Sequence, residues 1–336
     1  MAFIKKLFVL IILFGGAACG GFAYWAMQPI FIPEISSGTS VDKPIDFSIK
    51  AGSSVRSSAR QIYEAGVPVN PILFEVLARA TGKANKLKAG SFELESNKTP
   101  LDLLNKIVSG DFSFGALAII EGWTFQQMRK VVDTNSDLKH DTAGMSDRDL
   151  MKKIDPDYAL PEGLFFPDTY LFAKGSSDLQ IYQQAHSVMI KKLNEAWAAK
   201  STMLPYKTAY EALIMASIIE KETGQKSERT MIAAVFVNRL KLGMLLQTDP
   251  TVIYGMGDKY QGKIRKNDLL TDTPFNTYTR TGLPPTPIAL PGIASLTAAF
   301  SPAKSNALYF VARGDGTSQF SEDLSEHNRA VNKYQR

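Results

Sequence analysis

The pattern of apolar and polar positions changes period several times along the chain, and each change marks an element. Leu7 to Met27 carries no charge across 21 residues. As a helix that run is about 31 Å long, roughly the thickness of a hydrocarbon layer. Residues 28–45 then break the pattern with Pro29, Pro33, Pro44 and several small polar residues, which predicts a linker. Phe47-Ser48-Ile49 alternates as a strand does. Ser54–Ala65 predicts a short helix with Val55, Ala59, Ile62 and Tyr63 on one face, stopped at Gly66. Pro71 opens a second helix, with Leu73, Val76, Leu77 and Ala80 expected on its inner side. Ala89–Leu94 predicts another strand, and Thr99 with Asp102 forms a capping box for a helix over 100–108 that Gly110 ends.

Farther on, residues 178–200 predict an amphipathic helix with Ile181, Val188, Met189, Leu193 and Trp197 on its apolar side. Tyr210–Glu222 predicts a helix in which an apolar run, Leu213–Ile219, meets Glu220 abruptly. At 3.6 residues per turn Glu220 stacks with Leu213, Ala216 and Ser217, so its carboxylate is expected to face inward. Glu222 lies about 200° around the axis from it. Ser227 is expected to cap the next helix, whose Met231, Val235, Asn238 and Leu242 share a side before Gly243. A polar knot, Gln247-Thr248-Asp249-Pro250-Thr251, predicts a fixed turn between apolar runs. Ala307–Arg313, Gly314-Asp315-Gly316 and Ser318–Phe320 predict a hairpin, and Glu326–Tyr334 a terminal helix. The class is α+β: a membrane helix, a small α/β module and a larger domain with a mainly helical core around Glu220. The corresponding segments are 1–6, 7–27, 28–45, 46–115 and 116–336.

Composition narrows the chemistry. The 336 residues are 45% hydrophobic and 21% charged, ordinary values for globular domains. A net charge of +5 suits anionic partners. Without a dense basic run or a recognition motif, nucleic acid is not expected. One cysteine, Cys19, rules out an intrachain disulfide and a multi-cysteine zinc site, and His140, His186 and His327 form no ligand pair. Neither a metal nor a cofactor is expected. Lys5 and Lys6 precede the apolar span and no lysine follows until Lys43, which puts the N-terminus in the cytoplasm and the remainder outside the inner membrane. Rival readings of the same stretch are a cleaved signal peptide and a lipoprotein site acylated at Cys19.

A carboxylate at the end of an apolar helix is costly to ionise and can serve as a proton donor near neutral pH. Glu220 is therefore the candidate acid/base, and a buried ion pair is the alternative. Gln247, Thr248, Asp249, Thr251, Tyr254, Asn276 and Tyr278 are candidates for binding a sugar or orienting the acid. The aromatic cluster Leu164-Phe165-Phe166-Pro167-Asp168-Thr169-Tyr170 reads either as a sugar-stacking wall or as a packed loop closing the core.

SIIEKET (217–223), LQTDPTVIYGMG (246–257), NTYTRTGLPP (276–285), EGLFFPDTY (162–170) and His327-Asn328 strongly resemble the YceG-like, or MltG, endolytic murein transglycosylases. The strand–helix–helix–strand outline of 46–115 resembles a LysM-like module, which implies binding of N-acetylglucosamine-containing glycan. The family resemblance implies cleavage of the MurNAc–GlcNAc bond within peptidoglycan strands, a 1,6-anhydro product, and Glu220 as acid and then base. It also implies coupling to peptidoglycan synthases and a role in ending nascent strands. The alternatives are a muramidase that hydrolyses the same bond, with Asp249 as second carboxylate, and a non-enzymatic glycan-binding scaffold.

Overall fold

The structure is a computed structural model that describes residues 2–32, 44–222 and 225–335. Most of the expected linker, 33–43, and Thr223 of the SIIEKET block lie outside the described residues. The chain divides into two compact units, Met1–Gly115 with Leu171–Ser176, and Ala116–Tyr170 with Ser177–Arg336.

In the first unit a long helix, α1 (Ala2–Met27), precedes β1 (Ile45–Ile49), α2 (Val55–Glu64), α3 (Pro71–Ala80), β2 (Gly90–Leu94) and α4 (Pro100–Ser109). The two strands pair antiparallel with Phe47 opposite Phe92, and those rings stack 5.5 Å apart. The strand–helix–helix–strand order expected from the pattern is therefore present. Ser54 caps α2, and the Thr99–Asp102 capping box starts α4, each satisfying amides that would otherwise be orphaned. The inward faces differ from expectation in two helices. Tyr63 on α2 is exposed, and α3 buries Phe74, Leu77 and Ala78 while Val76 stays in solvent. The sequence of α3, PILFEVLARA, is apolar on nearly every side, so periodicity cannot choose its buried stripe. Residues 28–32 are not a free linker, because Ile30 is buried in this unit's core and its N–H donates to the Lys98 carbonyl at 2.8 Å.

The ribbon of β3 (Phe114–Ala118) and β4 (Thr169–Ala173) is where the chain passes between the units. The second unit holds α5 (Phe125–Asp133), α6 (Asp147–Ile154), α7 (Asp178–Ala198), α8 (Ala209–Glu222), α9 (Arg229–Lys241), α10 (Asp249–Met256), α11 (Lys266–Leu270) and α12 (Ile293–Phe300). It closes with the antiparallel pair β5 (Tyr309–Ala312) and β6 (Ser318–Ser321), and α13 (Leu324–Tyr334). Every residue from Ala212 to Ile219 is buried, which makes α8 the central helix, contacted by α7, α9, α10 and α12. Each leucine or isoleucine so buried contributes about 1.5–3 kcal/mol. Ser217, the one hydroxyl in that run, donates to the Ile214 carbonyl at 2.7 Å and accepts the Ile288 N–H at 3.0 Å. That pair ties the proline-stiffened 284–291 segment to α8.

Two local expectations change. Ser227 sits in a 3-10 turn, Lys226–Glu228, ahead of α9 and makes no cap bond. Asp249-Pro250 opens α10 rather than forming a turn alone, because proline suits the first helical turn, whose amides have no partner anyway. The aromatic cluster resolves as core: Leu164, Phe165, Phe166 and Tyr170 are buried, with Phe165 5.3 Å from Phe125 and 5.8 Å from Tyr182, ring to ring. No sugar-stacking wall exists there.

Candidate active site

The last turn of α8 points its two carboxylates at different partners, as their separation around the helix requires. Glu220 accepts the Gly292 N–H at 3.0 Å through Oε2, and its Oε1 lies 3.5 Å from the Arg229 guanidinium. Its side chain is 7% exposed and that of Arg229 10%, so this is a buried ion pair. Glu121 packs beside the same point: a Cβ on Gly292 would lie 1.9 Å from Glu121 Oε1, so a larger residue there would have to displace the exposed Glu121 side chain. The 121–123 and 290–292 segments are joined by Gly122 N–H to Leu290 O at 2.9 Å and Leu290 N–H to Trp123 O at 2.7 Å. Lys221 donates to the Gly122 carbonyl at 3.2 Å. Glu220 thus has its inward orientation, but protein groups occupy it.

Glu222 faces the polar knot. The Thr248 hydroxyl donates to its carboxylate. Thr248 stands at the N-cap position of α10, yet its side chain caps no amide. Burial pushes the Glu222 carboxyl up, the Thr248 bond pulls it down, and the charge of Asp249 pushes it up again, for a net rise. The residue is partly exposed, whereas Thr248 is fully covered.

Behind Thr248 is a hydroxyl cluster that periodicity does not reveal. The Thr248 N–H donates to Thr277 Oγ1 at 3.1 Å, Thr251 Oγ1 is 2.8 Å from Thr277 Oγ1, and Thr251 donates to the Thr248 carbonyl at 2.7 Å. Thr277 is not among the residues that the sequence singles out, although it lies in the NTYTRTGLPP block. Thr251 and Asn276 are buried and internally satisfied. Asn276 donates to Leu269 O at 3.0 Å and Thr271 O at 2.7 Å, and accepts the Tyr278 N–H at 2.8 Å. Both hold the loop and leave no group for a sugar. Asp249 is exposed and accepts the Tyr278 hydroxyl at 2.6 Å; burial first, and then this bond, raises the phenol. Gln247 is exposed at φ 51°, its N–H donating to Thr277 O at 3.1 Å.

The model of the YceG-like family matches residues 47–333 of this chain. The chain belongs to the YceG-like family. An endolytic murein transglycosylase of Bacillus subtilis (strain 168) is 34% identical over 309 residues, covering 86% of this chain and 84% of that one. One from Streptococcus pneumoniae serotype 2 (strain D39) is 26% identical, covering 97% of this chain and 65% of its own length. The 2.6 Å crystal structure of a yceG-like protein, lmo1499, from Listeria monocytogenes matches with a TM-score of 0.54 and 31% identity over 86% of this chain and 99% of that one.

Two further residues of this YceG-like protein support the site: Arg239, which the sequence does not single out, and Glu162, which opens the EGLFFPDTY block without being read as a site residue. Arg239, in the helix α9 and off the side expected to carry Met231, Val235, Asn238 and Leu242, is buried. It donates to Leu308 O at 2.7 Å and Leu246 O at 2.9 Å, pinning the entry to the polar knot, and lies 5.1 Å from the Tyr309 ring centre. Glu162 accepts the Phe125 N–H at 3.0 Å and the Tyr254 hydroxyl at 3.0 Å, and burial raises it to about 7. Tyr254 therefore anchors α10 to the 161–166 segment instead of standing free for substrate. Among the described residues no cluster of three histidine, cysteine, aspartate or glutamate side chains is placed to hold a metal ion.

Proposed function

We propose that this chain is an endolytic peptidoglycan lytic transglycosylase. It cleaves the MurNAc–GlcNAc bond within glycan strands and leaves 1,6-anhydroMurNAc ends. The named relatives support the activity class. We assign the acid/base role to Glu222 and read Glu220, the first candidate, as the buried partner of Arg229. The observation that carries the assignment is the Thr248 hydroxyl donating to the Glu222 carboxylate, whose protonation is favoured by burial and by the charge of Asp249, whereas Glu220 is held beside the Arg229 cation.

As an acid, Glu222 protonates the leaving glycosidic oxygen. As a carboxylate it then takes the proton of the C6 hydroxyl of the same muramic residue, which attacks its own anomeric carbon. The attack is intramolecular and benefits from proximity, so neither a protein nucleophile nor a base for water is needed. Gln247 and Asp249, exposed on the same knot, are the groups that can meet sugar hydroxyls.

The helix Ile4–Met27 is long and apolar enough to span a membrane, and with Lys5 and Lys6 at its start, before the charge-free run Leu7–Met27, the catalytic unit lies outside the inner membrane. The LysM-like outline of the first unit supports a glycan-binding role for it. Family resemblance supports action beside peptidoglycan synthases, where cleavage ends nascent strands.

The test is digestion of purified glycan strands with mass spectrometry of the ends. Anhydro ends are expected, and Glu222→Gln is expected to lower cleavage by at least about a hundred-fold while the protein stays folded. Reducing ends would mean hydrolysis, and retained cleavage by the Glu222→Gln protein would return the role to Glu220.

A further inference from the structure

The apolar helix does not end in a tether. Ala26 and Ile30 are 5% and 7% exposed, buried with Phe47, Phe92, Leu103 and Leu104, while Phe22, Trp25 and Ile32 pack against the same cluster. The helix contacts α4, and the Ile30 N–H donates to the Lys98 carbonyl at 2.8 Å. The last turn of α1 is therefore part of the module's own core.

Length makes this consequential. From Leu7 to Met27 the helix is about 31 Å long, and a hydrocarbon layer is about 30 Å thick. No turn is left over. The helix reaches the edge of the hydrocarbon at the same residues with which it enters the module. The headgroup layer on each side is only about 5–8 Å deep. On the side of the chain away from the core, Tyr24, Met27 and Phe31 are 67%, 65% and 80% exposed. Phe31 lies beyond the helix end, so it continues the apolar surface past the span. Aromatic and long apolar side chains at such a position are favoured at the water–lipid boundary.

We propose that the first unit is a membrane-surface module, seated on the leaflet it emerges from, with Met27 and Phe31 in the lipid headgroup–acyl boundary. The partner is the bilayer surface itself. This rests on reading α1 as a retained span.

The chain has one cysteine, so Cys19→Ser gives a background for single labels. In that background Phe31→Cys and, within the span, Phe14→Cys carry a nitroxide, and the full chain is reconstituted in vesicles of zwitterionic and anionic phospholipid. The label at position 31 is expected to be relaxed more by oxygen than by a water-soluble nickel chelate, the inverse of a label in water. If the position-14 label is lipid-embedded while that at 31 behaves as one in bulk water, the seating is overturned and the span stands. If the position-14 label is also in water, the span reading fails and takes the proposal with it.

Discussion

Replacing Glu162 by glutamine removes a buried acid while nearly keeping its shape. The side chain is almost fully covered, and its oxygens accept the Phe125 N–H and the Tyr254 hydroxyl. Burial lifts the carboxyl from its ordinary 4.5 to about 7. Between those values the folded protein holds a proton that the unfolded chain has released, so stability falls as pH rises through that window. The gap corresponds to about 3 kcal/mol, present in full below about pH 4.5 and lost above about pH 7. Glutamine can still accept from Phe125 and can donate to the Tyr254 oxygen, so the contacts survive without the titration. The unit concerned has about 200 residues, for which 1 kcal/mol moves the Tm by about 2–4 °C. About 2.5 kcal/mol of that gap falls between pH 5 and pH 8, so thermal unfolding of the solubilised full chain should show the glutamine protein gaining on the native one by roughly 5–10 °C between the two conditions. Parallel pH dependence in both proteins would refute a raised Glu162.

Other consequences can be checked in the same way. Thr248→Val removes the hydroxyl that lowers Glu222, so the alkaline limb of the pH–rate profile should move to higher pH. The maximal rate should fall by about ten- to a hundred-fold from the lost charge-assisted bond; an unmoved limb would separate Thr248 from the acid. Arg229→Met leaves Glu220 buried and unpaired and is expected to cost about 3–5 kcal/mol in denaturant unfolding. Adding Glu220→Leu should recover most of that loss, and failure to recover would mean that Arg229 acts through other contacts.

Local signals in the chain carried a large part of the architecture. The Thr99–Asp102 capping box, the helix start at Pro71, the apolar run of α8 and the alternation of β1 each depend on neighbours a few residues away, and each appears where the pattern put it. The sequence blocks around residues 217, 246 and 276 likewise sufficed to identify the family. Helical spacing also determined that Glu220 and Glu222 diverge and that Glu220 turns inward.

What each carboxylate meets was decided only by the tertiary structure. Glu220 finds Gly292, 72 positions along the chain, and Glu222 finds Thr248, 26 positions on. The same holds for Asn276, whose amide reads as a sugar ligand and is instead consumed by loop carbonyls. It holds for the aromatics of 164–170, which are core, and for the end of α1, which is built into the first unit. Periodicity reports which direction a side chain takes from its own helix axis. Burial, pairing and protonation depend on which distant segment fills that direction, and residue spacing along the chain does not encode that.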